Sequence, residues 1–204
     1  MTHEYVKILQ GEKVKVTCLR CGRCCNGPNV SLTVFDICRI ASFLNVHWRE
    51  LRGKYIIAVI ADMLAIPVLK SKGGLCIFLE TSEKPSCKIY PARPMRCRLY
   101  PFIPYSPGKT NIINLDKCCQ GVGIGDPIEP PWNLIENYYL EVKYHYSKLY
   151  HLVFSEGYEP LNALEILLDE VYEVVNGKQR EACPITLNHE TFKMDFSRPT
   201  TSMN

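Results

Sequence analysis

The chain has 204 residues, of which 47% are hydrophobic and 22% are charged, and its formal net charge is +3. This composition is typical of an ordinary soluble protein that is long enough to bury a core. The small net charge does not by itself indicate a nucleic-acid-binding protein.

The chain lacks the features of a secreted or membrane-spanning protein. Residues 1–5 contain no apolar signal-peptide segment. The longest apolar stretch, residues 55–69, is too short to span a membrane, and Asp62 and Pro67 interrupt it. We therefore expect no membrane span and a cytoplasmic location. In such a compartment, the eleven cysteines favour metal ligation over a disulfide framework.

A short strand leads into a dense run of cysteines. Residues 13–17 alternate polar and apolar side chains, which predicts a strand. A two-residue gap between cysteines lets the backbone curl so that both sulfurs face one metal ion. Three cysteines in such steps also occur in ferredoxin-type iron–sulfur ligation. The run therefore indicates a metal site in preference to buried or disulfide-bonded cysteines; its members are Cys18, Cys21, Cys24 and Cys25.

A helix is predicted after this run, with Thr33 as its N-cap and Asp36 in its first turn. Its apolar residues recur at helical spacing and are expected to face the core; they are Ile37, Ile40, Ala41 and Leu44. Cys38 lies beside this stripe and is interpreted as a small core residue. A second short helix is predicted over residues 46–53, where His47 is interpreted as structural or surface-exposed.

The middle of the chain supplies further candidate ligands. Residues 65–70 and 75–80 predict two strands separated by a turn at 71–74, so that Cys76 follows a glycine pair. Five prolines between residues 85 and 104 exclude a long regular element. We expect an irregular segment there, which carries the candidate ligands Cys87 and Cys97.

A further strand, predicted over residues 112–115, leads to the adjacent Cys118 and Cys119. Three glycines at alternate positions follow, and because they lack side chains they allow backbone N–H groups to approach a bound group closely. They are a weak indication of a phosphate loop because no Lys-Ser/Thr pair follows them.

Two helices are predicted towards the C-terminus, over residues 131–156 and 160–175, with Asn176–Gly177 ending the second. The aromatic residues of the first are interpreted as core and packing surface in preference to a base-stacking platform. We expect the pair to pack against the cysteine domain and to offer a surface for an unidentified protein partner. Residues 178–204 are predicted to be a loose tail, in which Cys183 has no assigned role.

The predicted ligand set therefore has eight members, which would fill two four-coordinate sites or two cubane clusters. Adjacent Cys24 and Cys25 are expected to point in different directions. No histidine lies near the motifs, and an all-sulfur set suits iron–sulfur clusters or zinc and excludes magnesium. We favour an iron–sulfur cluster, such as [4Fe–4S], with zinc as the alternative; the ligands are Cys18, Cys21, Cys24, Cys25, Cys76, Cys87, Cys97 and Cys119.

Basic residues lie close to these cysteines in sequence. A nearby cation lowers the pKa of a thiol and would tune the reduction potential of a cluster. Arg93, fixed by the following Pro94, is the one we most expect to act in this way. The same cations would suit an anionic substrate or RNA phosphate, so an RNA-binding module stays open; they are Arg20, Arg23, Lys88, Arg93, Arg96, Arg98 and Lys117.

Several motifs occur in an order that resembles a known family. The cysteine run precedes Thr-x-x-Asp, Gly-x-Cys-x-Phe-Leu, and Cys-x-Ile-Tyr-x-x-Arg-Pro-x-x-Cys-Arg-x-Tyr-Pro-Phe, and Cys-x-Gly-x-Gly-x-Gly closes the series. Over residues 15–125 the chain resembles the YkgJ-like cysteine-cluster family, a zinc- or iron-chelating domain. The resemblance implies metal binding and no particular reaction. Flagellin lysine methylases carry a similar cysteine arrangement. Cys118, beside the family-like Cys119, is a departure that leaves open which of the two sulfurs ligates.

We predict an α+β fold with an irregular cysteine-rich metal-binding domain at residues 1–128, a helical extension at 129–177 and a tail at 178–204. The predicted function is metal binding, with redox or methyl-transfer chemistry at an iron–sulfur centre. The alternatives are a structural zinc module that binds protein or RNA, and a metal carrier. Whether the chain is an enzyme stays open.

Overall fold

The computed structural model describes residues 4–26, 30–83, 85–104 and 111–179. The strands in these ranges are β1 (Tyr5–Leu9), β2 (Val14–Val16), β3 (Ile56–Ala61), β4 (Leu64–Leu69), β5 (Ser71–Lys72), β6 (Leu75–Cys76), β7 (Leu79–Glu80), β8 (Ser86–Cys87), β9 (Phe102–Pro104), β10 (Ile112–Asp116) and β11 (Val122–Ile128). The helices are α1 (Val34–Leu44), α2 (Trp48–Leu51), α3 (Met95–Leu99), α4 (Trp132–Tyr150) and α5 (Pro160–Gln179). The predicted α+β class is confirmed.

The strands form several small antiparallel sheets. Strand β10 lies between β1 and β9, and β2 pairs with β11 across a bulge in β11. The remaining strands form three consecutive hairpins, β3–β4, β5–β6 and β7–β8. The predicted strands at 13–17, 65–70 and 112–115 correspond to β2, β4 and β10.

The predicted strand at 75–80 is wrong as one element. The chain turns at residues 77–78 and divides it into β6 and β7, each two residues long. Gly73 and Gly74 form the turn of the β5–β6 hairpin, and both have positive φ angles, which glycine adopts without steric cost. Because these hairpins are so short, the local turns decide which way Cys76 and Cys87 face.

The main core lies between α1, α2, β4 and α5. Ile37 and Ile40 of α1 are at most 2% exposed, and Ala163, Leu164 and Leu167 of α5 belong to the same cluster. The Thr33 hydroxyl accepts the Asp36 N–H and the Asp36 carboxylate accepts the Thr33 N–H, which confirms the predicted N-cap. Cys38 is 1% exposed, and burial raises the pKa of its thiol to about 12. Its interpretation as a core residue is confirmed.

A second core lies under the three-stranded sheet, where α4 packs. Ile113 and Ile135 are 0% exposed, and Ile8, Phe102 and Leu115 surround them. A π-helical turn, His151–Ser155, continues α4 close to the predicted end at residue 156. Helix α5 runs to Gln179, so the prediction that Asn176–Gly177 ends it is wrong.

The irregular segment at residues 85–104 is confirmed, since its longest helix is the five-residue α3. The domain division at 128 and 177 stays a prediction. Residues 180–204, with Cys183, lie outside the described residues. Among the helices that the structure does describe, none has the length and apolar character needed to cross a membrane.

Candidate metal centre

Two adjacent hairpins bring Cys76 and Cys87 together. Cys76 ends β6, and Cys87 lies in β8 opposite Leu79 of β7. The Lys88 N–H donates to the Phe78 carbonyl at 2.9 Å, which extends the pairing past Cys87. An isolated bridge between Asn26 and Leu75 holds the end of the N-terminal cysteine run beside Cys76. The N-terminal cysteine run and the hairpin segment, which are distant in sequence, therefore meet here.

Backbone N–H groups point at three of the candidate sulfurs. Cys76 accepts hydrogen bonds from the N–H groups of Phe78 and Leu79. Cys87 accepts from Ile89, and Cys119 accepts from Gly121. In each case one donor lies two residues after the cysteine, so a tight turn fixes the direction of the sulfur. Burial raises the pKa of all three thiols, and these N–H groups oppose that rise because they stabilise the thiolate.

The N-terminal run turns sharply at Gly22, which has φ 73° and precedes a 3₁₀ turn, Arg23–Cys25. A Cβ at Gly22 would lie 3.0 Å from Pro85 Cβ, so glycine also allows close packing there. The side chains of Cys24 and Cys25 share a hydrogen bond. The expectation that these two sulfurs point in different directions is therefore wrong, because the 3₁₀ turn brings them to one side.

That hydrogen bond shifts the pKa values of the two thiols in opposite directions. The Cys25 thiol donates to Cys24 and lowers the pKa of Cys24 to about 6, with a smaller contribution from the Arg93 charge. The same bond raises the pKa of Cys25, and burial and the neighbouring thiolates raise it further. Cys24 is thus the thiolate of the pair at neutral pH.

Cys97 is held by a helix that starts against α1. The Met95 N–H, at the first position of α3, donates to Asp36 Oδ1 at 2.9 Å. Asp36 is 1% exposed and also caps α1. Burial raises the pKa of Cys97 to about 12, and the charges of Cys24 and Cys76 add to the effect.

Cys119 is held against Cys18 by a close backbone approach. The Thr17 N–H donates to the Gly121 carbonyl at 3.0 Å, and a Cβ at Gly121 would overlap the Thr17 carbonyl oxygen. On the other side of the turn, the buried Asp116 accepts the Cys118 N–H at 2.9 Å, and its carbonyl accepts the Cys119 N–H. Gly121 and Asp116 therefore set the position of Cys119.

Electrostatic interactions connect the eight predicted ligands. The Cys24 thiolate raises the pKa of five other cysteines, and Cys119 is also affected by Cys18 and Cys21. Within the described ranges, however, no three Cys, His, Asp or Glu side chains are arranged so that they could hold a metal ion. The sulfurs are grouped, but they do not have ligand geometry in this structure. The five cysteines whose pKa is raised by the charge of Cys24 are Cys25, Cys76, Cys87, Cys97 and Cys119.

The group is buried on one side and open on the other. Cys76 and Cys87 pack against the main core and are half-buried. Cys18, Cys21 and Cys24 are exposed. The apolar residues of the main core thus shield the interior half of the group, while the N-terminal run faces solvent.

Arg93 is fixed beside the thiols, as the following proline led us to expect. Its Nε donates to the Tyr90 carbonyl at 3.0 Å, and its guanidinium lies 3.6 Å from the centre of the Tyr90 ring. Arg20 approaches the same ring at 4.8 Å. The Arg93 charge lowers the pKa of Cys24 and Cys87. This cation thus offsets part of the negative charge of a thiolate group.

The donor chemistry fits a soft metal. All candidate ligands are sulfur, no disulfide occurs among the ten described cysteines, and backbone donors stabilise the thiolate form. The sequence analysis missed three residues that position the site, namely Asp116, Gly121 and Tyr90. In the sequence, Gly121 is notable only as the glycine two residues after Cys119, and Tyr90 only as the tyrosine three residues before Arg93. Their contacts with Thr17 and Arg93 are seen only in the structure.

Comparison with known proteins places these features in a family. The model of the family "CxxCxxCC: Putative zinc- or iron-chelating domain" matches residues 17–121. A relative from Methanocaldococcus jannaschii, named "Uncharacterized protein MJ0661", is 32% identical over 180 residues, which cover 80% of this chain and 91% of the relative. No solved structure matches the chain. The match spans the cysteine run, both hairpin cysteines, Cys97 and Cys119, and the chain therefore belongs to the CxxCxxCC family, whose metal-chelating cysteine motif it carries.

Proposed function

We propose that the protein binds an iron–sulfur centre through its grouped thiols. The observation that carries the proposal is the set of N–H···S hydrogen bonds at Cys76, Cys87 and Cys119, three cysteines from separate parts of the chain. Such donors orient a thiolate and stabilise its charge, and hydrogen bonds to sulfur are among the factors that set cluster potentials.

The residues that would hold the centre are the eight predicted ligands, and the hydrogen bond from Cys25 lowers the pKa of one of them, Cys24, to about 6. Because the sulfurs lack ligand geometry, binding requires the side chains to close on the metal, so metal binding contributes to folding free energy. When bound, an iron–sulfur cluster supplies one-electron redox chemistry. The protein's part is to orient the sulfurs, to offset their charge through Arg93 and to shield one side of the group.

We infer a redox role in preference to methyl transfer because of the exposure of the N-terminal run. Cys18, Cys21 and Cys24 lie at the surface, where an electron-transfer partner has access to the group. A reducing, cytoplasmic location is part of this proposal, since free thiols of this number persist there.

Zinc is the second candidate, and the paired hairpins favour it. Cys76 and Cys87 each lie in a two-residue strand next to a tight turn, an arrangement that would suit a structural zinc site. In that case the metal would hold the fold, and no redox chemistry would follow.

We further propose the C-terminal helices as a surface for a protein partner. Tyr150, Phe154 and Tyr158 are 59%, 47% and 43% exposed around the end of α4, whereas Tyr139 and Tyr144 are buried. RNA binding has weaker support. Arg98 donates to the carbonyls of residues 91 and 93, so its guanidinium is engaged within the site.

The test is metal analysis with an absorption spectrum on protein purified without oxygen. The proposal expects iron, sulfide and visible charge-transfer absorption. Stoichiometric zinc without iron or visible absorption would replace it with the zinc alternative. Single Cys→Ser variants at the eight positions should each lose metal or stability, while Cys38→Ala should keep its metal. Full metal retention in both Cys87→Ser and Cys97→Ser would exclude the central motif from the site.

A further inference from the structure

A buried ionic network connects the first helix to α4. Arg39 donates to Glu141 Oε1 at 2.6 Å and to Asp36 Oδ1 at 2.5 Å, and Thr33 Oγ1 donates to Glu141 Oε2 at 3.0 Å. Asp36 and Glu141 are 1% and 2% exposed, and the Arg39 side chain is 12% exposed. One guanidinium thus joins two buried carboxylates from distant parts of the chain.

The network reaches the cysteine group through a single backbone hydrogen bond. Asp36 Oδ1, the atom that Arg39 contacts, also accepts the Met95 N–H at 2.9 Å. Met95 begins α3, which is five residues long and carries Cys97 at its third position. Because α3 is so short, the direction of its first N–H group determines where Cys97 lies.

Stability alone is a poor reason for such a network. Burying three charges carries a large desolvation cost, and well-packed apolar residues often replace buried ion pairs without loss of stability. The planar guanidinium of Arg39 contacts both carboxylates, and it therefore fixes the positions of Asp36 and Glu141 relative to each other. The Asp36 carboxylate is thereby held at one place, between Arg39 and the Met95 N–H.

We propose that Asp36 and Glu141 are positioning residues that set the placement of Cys97, so that α4 and the thiol centre are energetically coupled. The inference rests on the proposed metal centre and adds a regulatory link to it. Coupling between two sites is reciprocal in free energy. Metal that immobilises Cys97 would therefore stabilise the α4 segment around Glu141, and a partner bound to α4 would alter the metal affinity.

The test uses Glu141→Gln in the full-length, metal-free chain. This variant keeps the side-chain volume, and among the described residues the side-chain hydrogen bonds of Glu141 come from Thr33 and Arg39, not from α3. The rate of alkylation by iodoacetamide is measured for each cysteine by mass spectrometry, with Cys87 and Cys119 as references in the same molecule. We expect about a tenfold rise at Cys97 relative to both references, as local opening of α3 becomes easier.

Glu165→Gln is the matched control, since it makes the same change in the exposed Arg52–Glu165 ion pair between α2 and α5. It should leave the Cys97 rate within twofold of wild type. Arg39→Lys, which keeps the charge but loses the fork, is a second variant that should raise the Cys97 rate several-fold. An equal rise at all cysteines, or an unchanged Cys97 ratio in both network variants, would overturn the inference.

A second measurement separates this inference from the proposed function. Hydrogen exchange of the segment around Glu141 is followed without metal, with Zn²⁺, and with Fe²⁺ together with sulfide in the absence of oxygen. Slower exchange on metal addition in wild type, lost in Glu141→Gln, supports the coupling, whereas metal binding with unchanged exchange refutes it. If no metal binds at all, the proposed function fails, and the alkylation result still decides whether Glu141 positions Cys97.

Discussion

Gly121 gives the sharpest test of how the two ends of the cysteine domain meet. A Cβ at this position would overlap the Thr17 carbonyl oxygen and lie 2.9 Å from the Thr17 carbonyl carbon. Both atoms belong to the backbone, so no side-chain rotation can relieve the contact. Gly121→Ala must therefore push strand β2, and with it Cys18, away from the Cys119 turn.

The cost follows from two contacts. Overpacking of a close contact costs about 1–3 kcal/mol. Separation of the strands also weakens the hydrogen bond from Thr17 N–H to the Gly121 carbonyl, which contributes about 1 kcal/mol. Relative to glycine, alanine lowers the conformational entropy of the unfolded chain, which offsets this loss of stability by roughly 0.5 kcal/mol. We expect a net loss of about 1.5–3.5 kcal/mol in the free energy of unfolding.

Gly123→Ala is the matched control, two residues further along the chain and within β11. Its Cβ would meet nothing within 4 Å, but its φ of +88° lies in the left-handed region, so alanine there costs about 1–2 kcal/mol by strain alone. The free energy of unfolding is measured by urea denaturation of the metal-free chains, and metal content by elemental analysis of loaded protein. Gly121→Ala should be the less stable variant and should bind less metal. If it is as stable as Gly123→Ala and binds metal normally, the close approach of Thr17 does not position the site.

Three further predictions follow from individual side chains. Cys97→Ser should lose metal, whereas Cys38→Ala should keep it and cost roughly 1 kcal/mol in urea denaturation. Alkylation of Cys24 in the metal-free chain should accelerate with rising pH around a midpoint of about 6, because the thiolate is the reactive form; a midpoint above about 8 would contradict the Cys25 hydrogen bond. Burial lowers the pKa of His145 to about 4, so between its ordinary 6.5 and that value the unfolded chain takes up a proton that the folded chain excludes. The free energy of unfolding of the wild type should therefore fall by roughly 3 kcal/mol as the pH decreases through this window. His145→Leu should lack this contribution, and parallel profiles of stability against pH for the two proteins would contradict the prediction.

The sequence determined the features that depend on local chemistry. The Thr33 cap, the apolar stripe of α1 and the absence of long elements at 85–104 follow from hydrogen-bonding groups, helical period and proline geometry. The cysteine spacing likewise led to the family, which the comparisons confirm. Even the cationic role expected of Arg93 could be predicted, because Pro94 restricts its backbone.

Tertiary structure decided which local elements pair and what the buried charges contact. Strand β3 was missed, and Tyr5–Leu9 was not recognised as β1, because their partners β4 and β10 supply the pairing that short strands cannot signal alone. Of the alternating glycines after Cys119, Gly123 and Gly125 lie in β11. Gly121, just before this strand, contacts Thr17, which is more than a hundred residues away in sequence.

The link from Glu141 through Arg39 and Asp36 to the Met95 N–H was likewise invisible in the sequence. From the sequence alone, Arg39 and Glu141 resemble ordinary charged helix positions, and Asp36 resembles an ordinary acidic residue in a first helical turn. Their roles depend on burial, which removes water as a competing partner and makes each remaining hydrogen bond decisive for position. Spacing along the chain thus predicted which thiols form the candidate site, whereas the contacts that orient them exist only once distant segments have folded together.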